Sequence, residues 1–487
     1  MRNAYFLLVI LLLLLINACS PKTDNELSTL TENPTSTPEE KRPAEVKQVY
    51  LYPAGDIAGI HIHDLQSDEE LAFAQDAKVK WTRFDKMNWD HIEPANVNPE
   101  EYDWRSVDEL GLINAADAGL ETIAIVLFTP GWAQKYIGYT CGPIAEAAFD
   151  DFAEFMQALV SRYSKPPYNV RYWEIGNEPD IDRALVPGNS GYGCWGEPDD
   201  PYYGGGYYAE MLKAVYPEIK AADPNAQVLI GGLLLDCDPI NPPESPPGSG
   251  SLKDCTPSRF LEGILNAGGG DFFDGIDFHA YDYYLGELGA FGNGNWHSMW
   301  DTTGPILERK SQYIQSLLSS YGYGDKELIN SEVALLCGSS GNEPICLSEE
   351  FQKTKAYYMV QANASALANE LAGNVWYSLT GWRGSGLVSR GYEPYLAYEA
   401  LTFYQEILWE ATSDGVLQGV SEIRGYKYNR PGGVVWLLWS VNQSGTNIQL
   451  PSSPDSIYEI YGNQLPLPGA DLAYTIDVAP IYIVWDN

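Results

Sequence analysis

Two textures of apolar and polar positions alternate along most of this chain. From residue 57 onward, short and nearly continuous apolar runs recur, each followed by a longer stretch with apolar residues at three- and four-residue steps. The runs predict strands at Ile57–His63, Val79–Phe84, Thr122–Phe128, Val170–Gly176, Gln227–Leu235, Gly275–Ala280, Leu328–Glu332 and Val375–Thr380. Ile123 to Phe128 is apolar at every position, as a strand covered on both faces must be. Glu146–Tyr163, Tyr207–Ala222 and Pro305–Leu318 carry the helical period, and a last helix is expected from about Tyr395 to Glu410. Strands alternating with helices in this way predict an α/β fold, a (β/α)8 TIM barrel over residues 48–410. The alternative is a doubly wound open sheet, but no Gly-rich dinucleotide turn follows the first strand.

Beyond the last helix the texture changes. Gly433–Val441, Ile457–Tyr461 and Ile481–Trp485 are short strand-like runs separated by Pro, Gly, Asn and Asp, which predicts a small C-terminal β-sandwich over 411–487. Its expected role is packing, with sugar binding as the alternative. At the other end, Arg2 precedes an apolar run from Phe6 to Ile16 that is too short to cross a bilayer comfortably. A basic start and a small residue before the end read as a signal peptide over 1–19. Ile16-Asn17-Ala18-Cys19 resembles a bacterial lipobox, which implies cleavage before Cys19 and a lipid on its sulfur. The chain would then be extracytoplasmic and lipid-anchored to the cell membrane or outer membrane. An ordinary secretory signal with a chance cysteine is the alternative. Residues 20–47 are Ser, Thr, Pro, Glu and Lys with little apolar content, the composition of a disordered tether.

Composition narrows the partners. Lys+Arg 29 against Asp+Glu 66 gives a net charge of −37, which argues against nucleic acid or an anionic membrane surface. The 34 Tyr and 14 Trp include flat amphipathic rings of the kind that stack on sugar faces, although most must be core. With Cys19 set aside, Cys141, Cys194, Cys237, Cys255, Cys337 and Cys346 remain. An even set in an exported chain suggests disulfides, with 15 pairings open to it. Sequence proximity favours Cys237–Cys255 and Cys337–Cys346, leaving Cys141–Cys194. All six lie in segments that follow predicted strands, so such bridges would staple loops at the barrel mouth. None has the close Cys-x-x-Cys spacing of a zinc site. His61 and His63, two apart on the first strand, should share a side, but no third ligand with metal-like spacing lies nearby. No metal or cofactor is expected; His61 is assigned to the barrel interior and His63 to substrate contact.

The chemistry concentrates at two strand ends. Trp173-Glu174-Ile175-Gly176-Asn177-Glu178-Pro179-Asp180 begins as an apolar strand and ends with an amide and a carboxyl group side by side. Pro179 then stops the strand, because it has no N–H to give a ladder. A second carboxylate, Glu332, stands at the end of the seventh predicted strand. Strand ends are where a barrel keeps its catalytic groups, and two carboxyl groups at about 5–5.5 Å form the pair required for retaining glycoside hydrolysis. The plainer readings are a turn cap for Asn-Glu-Pro and a salt-bridged strand end for Glu332.

With these motifs, residues 50–410 resemble clan A glycoside hydrolases, retaining barrel enzymes with an acid/base and a nucleophile after strands four and seven. The resemblance makes Glu178 the acid/base, Asn177 the partner of the sugar 2-hydroxyl and Glu332 the nucleophile. Trp81-Thr82-Arg83-Phe84, continuing through Asn88-Trp89 and Ile92-Glu93-Pro94, is similar to the second strand and its loop, where Arg83 would orient the nucleophile. Asp277-Phe278-His279-Ala280-Tyr281 resembles the sixth strand, with His279 and Tyr281 reaching the carboxylates. Trp382 occupies the place of the family's sugar-stacking tryptophan. The Pro130-Gly131-Trp132 turn resembles families 39 and 5, which makes Trp132 a substrate-binding candidate, and Glu174 to Glu178 also resembles family 51 arabinofuranosidases. Arg83 as a structural ion pair, His279 as a core histidine, and Trp382 and Trp132 as core aromatics are the alternatives. Val333 stands where an aromatic residue often follows the nucleophile, which leaves the family and the sugar open. The insert from Ile181 to Gly206, rich in Gly, Pro and Tyr, matches no family. The expected activity is retaining hydrolysis of a poly- or oligosaccharide; a transglycosylase on the same site and a non-catalytic glycan-binding barrel are the alternatives. Oligomeric state is left open.

Overall fold

The computed structural model describes residues 52–183, 186–244, 248–293, 300, 304–419 and 422–486. The expected signal peptide, the tether and Cys19 lie outside the described residues.

Eight parallel strands close a barrel: β1 (Ala58–Ile60), β2 (Trp81–Asn88), β3 (Glu121–Leu127), β4 (Tyr172–Asn177), β5 (Gln227–Leu233), β6 (Gly275–Tyr284), β7 (Glu327–Leu336) and β8 (Gly373–Trp376). Each pairs with its neighbours in sequence, and β8 pairs with β1 to complete the ring. Phe291–Gly292 adds a short antiparallel partner to the end of β6. The chain is a (β/α)8 barrel with an antiparallel C-terminal unit. β1 is shorter than the apolar run suggests; His61 and His63 lie just past its end, at the mouth.

Within the barrel the lower floor is apolar, built from Trp81, Ile123, Tyr172, Leu229, Ile329 and Val375. Side chains of a strand return to the same face every second residue. Two positions further on, the interior therefore receives Arg83 from β2, Glu174 from β4, Gly231 from β5 and Asp277 from β6, opposite Ile329. The lumen changes from greasy to charged within one layer.

Helices Phe149–Tyr163, Gly205–Ala222, Ile306–Ser320 and Leu396–Leu408 pack outside the ring, each burying an apolar stripe. Helix Glu349–Ala368 differs. It is buried from Phe351 through Leu367 apart from two positions, so it has no polar face and no helical period in its sequence. Ser348 caps it by accepting from Phe351 N at 3.1 Å.

That helix is covered by the C-terminal unit. Strands β9 (Thr412–Val416), β10 (Ile423–Arg430), β11 (Gly433–Ser440), β13 (Ser456–Glu459) and β15 (Ile481–Asp486) form one sheet in the order β9-β10-β11-β15-β13, and β12 (Thr446–Gln449) pairs with β14 (Ala473–Ile476). Alternation along the strands divides the labour. Tyr426, Tyr428, Leu437 and Tyr482 join the barrel core, while Leu438, Ile481 and Ile483 join the cluster containing Ile448 and Ile476 of the smaller sheet. Tyr426 Oη and Ser365 Oγ hydrogen-bond at 2.7 Å, and Phe403 meets Tyr458 and Tyr482. The disulfides are Cys141–Cys194, Cys237–Cys255 and Cys337–Cys346, all in loops that follow barrel strands.

Candidate active site

β4 delivers Glu178 one residue past its last ladder position. The residue adopts φ +48°, a left-handed conformation that costs a non-glycine residue about 1–2 kcal/mol. The surrounding turn holds it there. Glu178 N donates to Gly232 O at 2.9 Å, and the buried Asp180 carboxyl accepts from Leu234 N and Leu235 N, both at 2.8 Å. The end of β4 is thereby locked to the end of β5.

Glu332 reaches the lumen through an irregularity. Phe278 pairs with Asn330, but the next residue of β6, His279, pairs with Glu332, so Ser331 is an extra residue in β7. Simple alternation from the interior residue Ile329 would turn Glu332 outward; the bulge reverses the phase and turns it in. Arg83 then donates from Nη1 to Oε1 of Glu332, and Tyr281 Oη donates to Oε2. Arg83 is 2% exposed. Its Nε and Nη2 bind Glu174 at 3.0 and 2.6 Å, and Nη2 also reaches Asn177 Oδ1 at 2.8 Å. Burial works against the guanidinium's charge, but the carboxylates of Glu174 and Glu332 outweigh it and hold its pKa above the ordinary value. One cation thus aligns the nucleophile candidate and the Asn177 amide oxygen.

His279 bridges the two carboxyl groups: its Nδ1 lies 2.8 Å from Glu178 Oε1 and 3.6 Å from Glu332 Oε2. Burial lowers its pKa to about 4, so the imidazole is neutral near pH 7. Its Nε2 faces Gly232, where a Cβ would stand 2.2 Å away. Glu178 is pushed up to about 7 by burial, against the attraction of Arg83 and Lys310. Oxygen atoms of Glu178 and Glu332 lie within 4.8 Å of each other.

The other expected residues sit at varying distances from this centre. Trp382 is half exposed at the mouth and meets Tyr281 edge-on at 6.1 Å. His63 bonds Ser378 Oγ at 2.9 Å and packs on Tyr377, which in turn meets Tyr281, so it borders the site. Trp132 does not join the group: its indole N–H donates to Glu93 O at 3.3 Å and its ring meets Trp89. Glu174, Asp277 and Lys310 also line this centre, although the sequence assigns none of them a role. Glu174 was signalled by period two, four residues before Glu178 on an otherwise apolar strand. Lys310 lies on helix Ile306–Ser320 and donates to Leu234 O and His279 O, a contact with no local signature.

Among the described residues, three groups bring metal-ligating atoms within 4.8 Å: His61–His63–Asp85, Glu174–Asp277–His279 and Glu178–His279–Glu332. Cationic side chains already stand at their acids. Arg83 serves the latter two, and Lys86 Nζ lies 2.5 Å from Asp85 Oδ1.

The chain therefore belongs to the class of (β/α)8 barrels that face two strand-end carboxyl groups across the mouth. Solved structures similar to it include a family 39 glycoside hydrolase from the gut symbiont Bacteroides cellulosilyticus WH2, at 17% identity over 90% of this chain and 82% of that one, with TM-score 0.63. A GH30 endoxylanase from Clostridium papyrosolvens C71 is similar at 12% identity, over 88% and 95% of the two chains, with TM-score 0.53. An α-L-arabinofuranosidase from Thermotoga maritima is similar at 11% identity, over 91% and 98%, with TM-score 0.54. At such identities the likeness is one of fold. The sequence matches no family model and no curated protein.

Proposed function

We propose that the protein is a retaining glycoside hydrolase of clan A that cleaves a poly- or oligosaccharide, with Glu178 as acid/base and Glu332 as nucleophile. The observation that carries this reading is the pair itself. A carboxyl oxygen of Glu178 lies within 4.8 Å of one of Glu332, an approach that supports double displacement. The fold neighbours, which include enzymes named for xylan and arabinofuranoside cleavage, support it.

The two environments differ as the mechanism requires. Glu332, gripped by Arg83 and Tyr281, attacks the anomeric carbon and forms a glycosyl ester. Glu178, with its pKa at about 7, gives its proton to the departing oxygen. Once the leaving group has gone, the Glu178 carboxylate takes a proton from the water that hydrolyses the ester. His279 stays neutral beside it and adds no charge that would pull the acid's pKa down.

The test begins with aryl β-D-xyloside, aryl α-L-arabinofuranoside and xylan, read by NMR of the first-formed product. Retention of configuration is expected. Glu178→Ala should suppress turnover of poor leaving groups far more than of activated ones, and azide should restore the activated case. Glu332→Ala should abolish both. Inversion, or Glu332→Ala with near-normal activity, overturns the mechanism. On the lipobox-like tetrapeptide we also propose anchorage outside the cytoplasm through a lipid on Cys19. Mass spectrometry of the mature N-terminus decides that point, and an unmodified cysteine refutes it.

A further inference from the structure

The insert between β4 and helix Gly205–Ala222 is fastened directly over the acid/base. Gly193 N donates to Asn177 O. A Cβ at Gly193 would stand 2.5 Å from that oxygen and 2.6 Å from Pro179 Cα, so glycine alone permits this seat. Cys194 N donates to Cys141 O at 3.1 Å, and the Cys141–Cys194 disulfide ties the insert to the loop after β3. Thr140 N donates to Gly188 O at 2.7 Å. Further out, the Arg183 guanidinium stacks on Tyr136 at 4.6 Å, and Glu197 accepts from Lys135 Nζ at 2.9 Å and from Tyr136 Oη. The two loops form one braced wall.

That wall presents Tyr192. It lies between Gly191 and Gly193, and its N–H donates to Ser190 Oγ at 3.0 Å. Tyr192 is 48% exposed, and its one hydrogen bond among the described residues is made by its backbone. Its neighbour Gly193 rests on Asn177 O, one residue before Glu178. Burial, then the fields of Glu178 and Glu332, push the pKa of the Tyr192 hydroxyl up to about 12, and the same hydroxyl acts on Tyr377 beside the site. A half-exposed aromatic ring with a hydroxyl, carried on a braced wall, suits the C–H face of a pyranose and one of its hydroxyl groups.

The sides of the cleft follow from the chemistry. Glu178 protonates the departing oxygen, so the departing sugar lies against the segment that carries and covers Glu178. Trp382 lies on the loop after β8 and meets Tyr281, which donates to Glu332. We infer that Tyr192 is the platform of a leaving-group subsite, which binds the pyranose unit released in the first step and is held in place by the Cys141–Cys194 bridge. This rests on the hydrolase reading above and extends it to a residue that no resemblance supplies.

A glycosyl fluoride has no sugar in its leaving group, so it separates this subsite from the chemistry. The wild type, Tyr192→Ala, Tyr192→Trp and the Cys141→Ser/Cys194→Ser double variant are compared on the glycosyl fluoride and on the oligosaccharide of the sugar that the substrate panel returns. For Tyr192→Ala the expected loss of kcat/KM is at least tenfold on the oligosaccharide and at least fivefold greater than on the fluoride. Tyr192→Trp should recover most of the loss, and the cysteine variant should shift the ratio in the same direction as Tyr192→Ala. Equal losses on both substrates, or no loss on the oligosaccharide, overturn the inference while leaving the hydrolase intact. If the wild type cleaves nothing, the hydrolase reading fails, and calorimetric titration with xylohexaose judges Tyr192 alone. Weaker binding by Tyr192→Ala then supports the platform; equal affinity, or no binding by either protein, overturns it.

Discussion

His279 Nδ1 and Glu178 Oε1 are 2.8 Å apart, and both side chains are buried. The imidazole titrates near 4 and the carboxyl near 7, each moved chiefly by burial. Around neutrality the pair therefore exchanges a single proton's worth of charge, and that charge is on Glu178. An acid catalyst must be protonated to act, so kcat/KM on a substrate with a poor leaving group should fall as pH rises through about 7. The limiting slope is about tenfold per unit for one ionising group. A pH–rate profile checks this; a profile flat to pH 9, or an unchanged alkaline limb in Glu178→Gln, would contradict it.

Arg83 and Glu174 form a buried ion pair, and the same guanidinium holds Glu332, the proposed nucleophile. Arg83→Met should cost about 3–5 kcal/mol, because two buried carboxylates lose their partner. Arg83→Lys should recover little, since an ammonium cannot make the fork. Adding Glu174→Gln to Arg83→Met should return part of the stability and none of the activity, because Glu332 keeps Tyr281 but still lacks the guanidinium. Denaturant unfolding and kcat/KM on the four proteins of the cycle measure both outcomes.

Gly232 leaves room for the His279 ring. A methyl group there would overlap Nε2, so Gly232→Ala should press the imidazole toward Glu178. Overpacking of this kind costs about 1–3 kcal/mol. A loss of kcat/KM of about tenfold or more is expected, with a displaced alkaline limb in the pH profile. Normal kinetics together with a normal melting temperature would show that the ring position is not critical.

Lys355 is fully buried beneath the Trp382 loop, where it donates to Gly384 O at 3.1 Å and Gly386 O at 2.5 Å. Burial lowers its pKa to about 7. Arg383 reinforces the loop from the other side by donating from Nε to Gly338 O at 2.7 Å, next to the Cys337–Cys346 bridge. Trp382→Ala should raise KM by about tenfold, the loss expected for a stacking contact worth about 1.4 kcal/mol. Lys355→Met should raise KM in the same direction but less, because it leaves the indole present on a looser loop. Steady-state kinetics test this, and a kcat effect without a KM effect would place Trp382 outside the binding surface.

What the sequence determined by itself is local or periodic. The apolar runs specify buried parallel strands because their composition leaves no face for water. Asn177-Glu178-Pro179 marks a strand exit because proline cannot continue a ladder, and Cys237–Cys255 and Cys337–Cys346 are close enough along the chain to favour pairing. Helix Glu349–Ala368 was illegible for the converse reason: a helix buried all round has no period. Only the tertiary structure decided which way Glu332 faces. The extra residue at Ser331 becomes visible when β7 is laid against β6, and without it alternation gives the wrong side. Arg83 meets Glu174 and Glu332 across 91 and 249 residues, and no local pattern encodes which carboxylates a closing barrel will gather. The placement of Tyr192 depends on a disulfide between two loops and on the missing Cβ of Gly193, both of which act through neighbours distant in sequence. Alternation and composition are properties of one segment, whereas register, closure and burial of charge are properties of segments brought together.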